Sequence, residues 1–207
     1  MENFIGFKLL EPNNIIDELV IYIESELKSF TGSEEFINIL ELKKNENQHS
    51  LSFCVFMTNN CSSKFYFARE NSQLGTSVID IGVYYGSSLI FTIEAKLLPT
   101  PNSGPKEKRL EHEYVFGKGA GIQRFKEGKH GLNNRNEPLS VNGLIGFIKA
   151  DDYKFWLTKI NGWIGDAGWE KSEHLQLVNG SNNRLESFHT RDDKSNLTLH
   201  HFWVQLT

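Results

Sequence analysis

No stretch of this chain is apolar for long enough to cross a membrane, and cysteine is scarce. Only Cys54 and Cys61 occur in 207 residues, without C-x-x-C spacing. The first absence excludes a helical membrane protein. The second excludes a disulfide framework, and two isolated thiols read as reduced side chains of a cytoplasmic protein. The opening decapeptide MENFIGFKLL has an acidic residue at position 2 and no basic n-region, which is not the pattern of a secretory leader. The histidines at 49, 112, 130, 174, 189, 200 and 201 form no H-E-x-x-H and pair with no cysteine, which argues against zinc. There is no G-x-S-x-G elbow, and Gly128-Lys129 is not followed by Ser or Thr, so neither a hydrolase nucleophile nor a P-loop is encoded. Basic residues are not in surplus: 22 Lys and Arg stand against 26 Asp and Glu, a net charge of −4. Affinity for nucleic-acid phosphates rests on Lys and Arg, so any such surface must be local.

What is present is an aromatic-rich globular composition, 39% hydrophobic with 15 Phe, 6 Tyr and 4 Trp. A chain of this length can bury a sizeable core. Ile16, Leu19, Ile23, Leu27 and Phe30 recur at helical spacing and predict a helix over 13–30, with a shorter one at 34–44. LSFCVFMT (51–58) and KFYFAR (64–69) read as strands. With TSVIDIGVYY (76–85) and SLIFTIEAKLL (88–98) they suggest a four-stranded antiparallel meander. A short helix is expected from Gly121 to about Glu127. VNGLIGFIKA (141–150), apolar on both faces, reads as a buried strand reached by a crossover. Asp151-Asp152 caps a helix whose Tyr153, Trp156, Leu157, Ile160 and Trp163 share a face. Arg184–Arg191 and 197–206 look like a closing hairpin, across which His189 and His200 could meet.

The hairpin at 76–98 carries the most chemistry. Directly opposed residues of an antiparallel pair point to the same side of the sheet, so the apolar sets of the two strands must coincide. A three-residue loop at Gly86-Ser87-Ser88, pairing Tyr85 with Leu89, satisfies this and sets Asp80 opposite Glu94. Lys96 then follows on the same face. A simple two-residue loop would put Asp80 opposite Ile93. Two carboxylates and a solvent-facing lysine suit a magnesium-dependent phosphodiesterase, because Mg²⁺ takes one or two protein carboxylates and leaves room for water and phosphate.

Asp80 followed by Glu94-Ala95-Lys96 at the end of an apolar strand resembles the PD-(D/E)xK nuclease superfamily, with Ile79 where that family's pattern has proline. The resemblance covers residues from about 13 to about 150. It implies an α/β restriction-endonuclease-like domain of αβββαβ order, a mixed central sheet flanked by helices, here with a C-terminal β-hairpin elaboration over about 151–207. It implies that Asp80 and Glu94 bind Mg²⁺, for which Mn²⁺ substitutes, and that the Ala95 carbonyl could add a ligand. Lys96 becomes the catalytic lysine, and Gly121-Ile122-Gln123-Arg124-Phe125 looks like the segment that offers a glutamine, Gln123, to the site. In this fold the first helix often lends a carboxylate, and Glu26 is the residue at the edge of that helix's stripe. The implied activity is hydrolysis of DNA, by an endonuclease rather than an exonuclease, in a role such as antiviral defence. The chain would then either cut with little sequence preference or take recognition from a protein partner or a homo-oligomer. Residues 106–130, which include Lys106, Lys108, Arg109, Lys118, Arg124, Lys126, Lys129 and His130, follow the triplet directly. Within them Lys118, Arg124 and Lys126 are the expected DNA-binding residues. The alternative is a non-catalytic, nuclease-like subunit that binds a partner.

Overall fold

The computed structural model describes residues 12–41, 45–62, 64–101, 110–181 and 183–206. Helix α1 spans Pro12–Thr31. It buries Leu19, Ile23, Leu27 and Phe30, the stripe legible from their spacing. Helix α2 (Glu34–Glu41) is followed by α3 (Glu46–Asn60). Residues 51–58 are therefore helix, not the expected strand. The reason lies at the helix start: Asn45 caps the backbone N–H of Gln48, and the Gln48 side chain caps Asn45 in return. This capping box fixes a helical first turn. Much of the helix surface is buried, Phe53, Cys54, Phe56 and Met57 included, so the sequence shows an unbroken apolar run rather than a stripe.

A single mixed sheet of seven strands runs through the molecule in the order β1-β2-β3-β4-β7-β6-β5. Strands β1 (Tyr66–Ser72), β2 (Val78–Tyr85) and β3 (Ser88–Leu98) form an antiparallel meander of three, one fewer than expected. Strand β4 (Val141–Ile148) lies parallel to β3. The crossover between them contains a 3₁₀ turn at Glu111–Tyr114 and helix α4 (Ile122–Lys126). Helix α5 (Tyr153–Asp166) starts at its Asp152 cap. Then come β5 (Gln176–Leu177), β6 (Arg184–Thr190) and β7 (Asn196–Gln205). The last hairpin is continuous with the main sheet, because β7 pairs in parallel with β4.

The sheet has an apolar core on each face. One packs α1–α3 against Ile81, Val83, Ile93, Ala95, Leu97, Ile145 and Phe202. The other packs α4 and α5 against Ile79, Leu98, Leu144, Leu199 and Trp203. Alternation along β3 thus turns Ala95 toward α1–α3, and Glu94 and Lys96 toward the face that carries α4.

The β2–β3 hairpin reaches its register by a different route from the one expected. Tyr85 pairs with Ser88 and Tyr84 with Leu89, leaving a two-residue turn at Gly86-Ser87 with Gly86 at φ +60°. A bulge then shifts the pairing, so that Val83 meets Phe91 and Ile81 meets Ile93. The extra residue at Ile90 restores the match of apolar faces that a plain two-residue turn would destroy. Continued by one residue, this register brings Asp80 level with Glu94.

Candidate active site

Asp80, Glu94 and Lys96 line one cleft of about 520 Å³, together with Glu46, Glu113, Lys118, Gly119 and Arg124. The cleft is not the exposed rim that the sequence suggested. Glu94 is 3% exposed and Lys96 4%, so the lysine expected to face solvent is buried. Their side chains meet as an ion pair, Lys96 Nζ to Glu94 Oε1 at 2.6 Å. Asp80 reaches across the hairpin, where its Oδ2 accepts the Ala95 N–H at 2.8 Å. The Glu46 carboxylate, from the first turn of α3, accepts the Leu97 N–H at 2.8 Å. Acidic side chains from β2 and α3 therefore bracket the strand that carries Glu94 and Lys96.

Their protonation is uneven. Burial, and then the charge of Glu94, raise the Asp80 pKa to about 7. Burial works against ionisation of Glu94 too, but Lys96 and His130 outweigh it and hold Glu94 at about 2. Burial also opposes the charge on Lys96, yet Glu94, Glu46 and Asp80 prevail and raise its pKa. The environment thus separates two neighbouring carboxylates into a permanent anion and a group that titrates near neutrality.

Helix α4 contributes differently from expectation. Gln123 does not reach this cleft. Its Oε1 accepts the Gly117 N–H at 2.9 Å, its Nε2 donates to Glu127, and it lines a separate, smaller cleft beside Trp169. Arg124 faces the carboxylates instead, with Nη1 3.8 Å from Glu94 Oε1 and Nη2 bonded to Ser77. Neighbouring helical residues diverge by about 100°, so a shift of one position exchanges the glutamine for the arginine. The helix is seated by Gly121, where an added Cβ would meet the Tyr114 carbonyl oxygen and Leu144 at 2.7 Å.

Of the three expected DNA-binding residues, Lys118 and Arg124 line the cleft and Lys126 does not. Lys126 is ion-paired with Glu173 and lies 4.3 Å over the Trp169 ring. Lys106, Lys108 and Arg109 lie outside the described residues. Glu26, the acid suggested on α1, is not among the cleft residues, whereas Glu46 of α3 is a helix-borne carboxylate that lines it. Its signal in the sequence was the Asn45–Gln48 capping pair, which marks 46 as the first turn of a helix.

Among the described residues, no three His, Cys, Asp or Glu side chains converge closely enough to hold a metal ion by themselves. The donor set suits a hard cation on two carboxylates. Burial and the neighbouring charge of Glu94 hold Asp80 at a raised pKa, and a cation between the two carboxylates would relieve both effects. Mg²⁺ habitually accepts so few protein ligands and completes its shell with water and phosphate oxygens.

A second polar cluster lies behind the same wall. Trp203 Nε1 is 3.1 Å from Tyr114 Oη, Tyr114 Oη 2.9 Å from His201 Nδ1, His201 Nε2 2.8 Å from Ser187 Oγ, Ser187 Oγ 2.7 Å from His189 Nε2, and His189 Nδ1 2.6 Å from Glu173. Indole only donates and carboxylate only accepts. One assignment therefore satisfies every group: each donates in turn toward Glu173, and both imidazoles are neutral. Burial drives both histidine pKa values down, that of His201 far down. Glu173–His189–Ser187 has the order of an acid–base–nucleophile triad, but Ser187 is wholly buried and already held by His201. The cluster is a structural tie between the 3₁₀ turn and the C-terminal hairpin. The approach of His189 to His200 that the hairpin allowed is not made: His189 reaches His201 through Ser187, and His200 faces Glu186 and Arg184.

Both cysteines are free and buried, and no helix among the described residues is long and apolar enough to cross a membrane. Comparison with protein-family models, with curated proteins and with solved structures gives no significant match.

Proposed function

We propose that this chain is a metal-dependent nuclease that hydrolyses DNA phosphodiester bonds. The observation that carries the reading is the convergence of Asp80, Glu94 and Lys96 in one cleft on adjacent strands, with a helix-borne acid and an arginine beside them. The order of elements supports it: helices, then β1-β2-β3 as a meander, then α4, then β4 parallel to β3. This order is similar to the αβββαβ succession that the resemblance implies, with Asp80 on the second strand of the meander and Glu94-Ala95-Lys96 on the third.

In this reading Asp80 and Glu94 hold Mg²⁺ or Mn²⁺. The bound ion would supply Lewis-acid polarisation of the phosphate and a more acidic water. Lys96 acts as a fixed cation. Its acidic neighbours keep it protonated, so it orients the attacking water and stabilises phosphate charge rather than accepting a proton. Lys118 and Arg124 lie on the cleft wall where a phosphate backbone would pass. The net charge of −4 makes the basic contribution local rather than global. Such a chain would cut with little sequence preference or take recognition from a partner or a second copy, and bacterial defence is a setting that the family resemblance alone suggests.

The test is cleavage of supercoiled plasmid by the full chain with Mg²⁺ or Mn²⁺, in chelator, and with Asp80→Asn. Metal-dependent nicking that the substitution abolishes is expected, and nicking of closed circles identifies an endonuclease. Undiminished cleavage by the variant overturns the assignment of the site. A wild-type chain that binds DNA in every metal tried without cutting it, and a variant that binds equally, point to the non-catalytic subunit instead.

A further inference from the structure

His130 lies outside the four residues to which the sequence assigned catalysis. It is completely buried, and its Nδ1 stands 3.2 Å from Glu94 Oε2. The two groups are within ion-pair distance but not aligned as a hydrogen bond. Oε2 and Nδ1 are thus left without a hydrogen-bond partner, and the buried Nε2 has none either. A buried donor or acceptor left unpaired destabilises the fold, and here a small turn of one ring would satisfy a nitrogen and an oxygen together.

The backbone delivers His130 to this point deliberately. The His130 N–H bonds to the Arg124 carbonyl at 3.1 Å, closing the turn at the end of α4. Its ring stands edge-on to Phe125. Gly131 follows at φ +81°, where a Cβ would collide with Asn142 and Phe125 at 2.9 Å. One turn therefore presents Arg124 and His130 to the two oxygens of the same carboxylate. Oε1 faces Lys96 and Arg124, which line the cleft, and Oε2 faces inward to the imidazole.

We infer that His130 is a positioning residue that donates Nδ1–H to Glu94 Oε2 and so fixes the rotamer in which Oε1 addresses the cleft. The consequence for metal binding rests on the nuclease reading; the hydrogen bond itself does not. Partners of this kind orient a ligand carboxylate, and their loss typically costs about 10- to 100-fold in metal affinity.

Two measurements on the full chain test the inference. In ¹H–¹⁵N NMR at neutral pH, His130 should give a slowly exchanging Nδ1-bound proton, identified by its disappearance in His130→Asn. Its shift should move upfield in Glu94→Gln, whose amide is a weaker acceptor. In calorimetry with Mn²⁺ alone, His130→Phe should bind roughly tenfold or more weakly than wild type. His130→Asn, which keeps a donor at the place of Nδ1, should recover most of the loss. In cleavage, His130→Phe should lower kcat and leave KM for DNA unchanged. A His130 without an Nδ1 proton, or one whose shift ignores Glu94→Gln, overturns the inference. So does a folded His130→Phe that binds Mn²⁺ as tightly as wild type. A wild-type chain that takes up no Mn²⁺ defeats the nuclease reading instead, and the imidazole signal then decides the hydrogen bond alone.

Discussion

Replacing Lys96 by Met should destabilise the protein well before it says anything about catalysis. The side chain is 4% exposed, and its ammonium lies 2.6 Å from a carboxylate that is 3% exposed. Removing one member of a buried pair leaves an uncompensated charge, at a cost of about 3–5 kcal/mol. For a chain of this size each kcal/mol lowers Tm by about 2–4 °C, so a fall of about 6–20 °C is expected. Glu94 can relieve part of the loss by taking up a proton. Without Lys96 its folded-state pKa would lie above the unfolded value, so the variant's deficit should be smaller at pH 5 than at pH 8. Adding Glu94→Gln removes the orphaned charge, and the double variant should be more stable than Lys96→Met alone, with a coupling energy of about 1–3 kcal/mol. Urea unfolding of the four proteins at both pH values measures all of this. A Lys96→Met protein as stable as wild type at pH 8, or a double variant no more stable than the single, would refute the buried-pair argument. Activity lost in Lys96→Met must therefore be compared at a temperature where that variant is folded.

Arg124→Ala should reduce the slope of log DNA affinity against log salt by about 0.9, the effect of one phosphate contact. Lys126→Ala should leave the slope unchanged, since Lys126 is occupied by Glu173 and Trp169; equal effects from both would move the DNA surface elsewhere. Ser187→Ala strands His201 Nε2–H and His189 Nε2 in the core, at about 1–3 kcal/mol each, readable as a lower urea midpoint; an unchanged midpoint would mean that water replaces the hydroxyl. Stability should fall as pH drops below about 6.5, because His49 and His200, lowered to about 4, and His189 and His201, also lowered by burial, stay neutral when folded but charge when unfolded. Each contributes up to about 1.4 kcal/mol per pH unit in that window. Asp80, raised to about 7, acts with opposite sign but singly, so urea midpoints at pH 5 and pH 7 that are equal would contradict the four neutral imidazoles.

Local alternation and spacing determined a good deal of this protein. The stripe of α1, the cap at Asp152, the β6–β7 hairpin and the apolar faces of β2 and β3 were legible because each is a pattern between near neighbours. The level of Asp80 with Glu94 followed from matching those faces, although a bulge and not a longer loop achieves it. Tertiary structure decided what near neighbours cannot. Residues 51–58 are helix because a capping box starts them and a core covers most of their surface, which erases the periodicity that would have announced a helix. Glu46, 34 positions before Asp80 in the sequence, enters the cleft only through the packing of α3. A helix of five residues has too little period to say which side chain faces inward, so Arg124 rather than Gln123 was fixed by the seat of Gly121 against Tyr114. The burial of Lys96 and the approach of His130 to Glu94 likewise depend on the crossover folding back over β3. Composition and spacing carry no distance between segments that far apart in the chain.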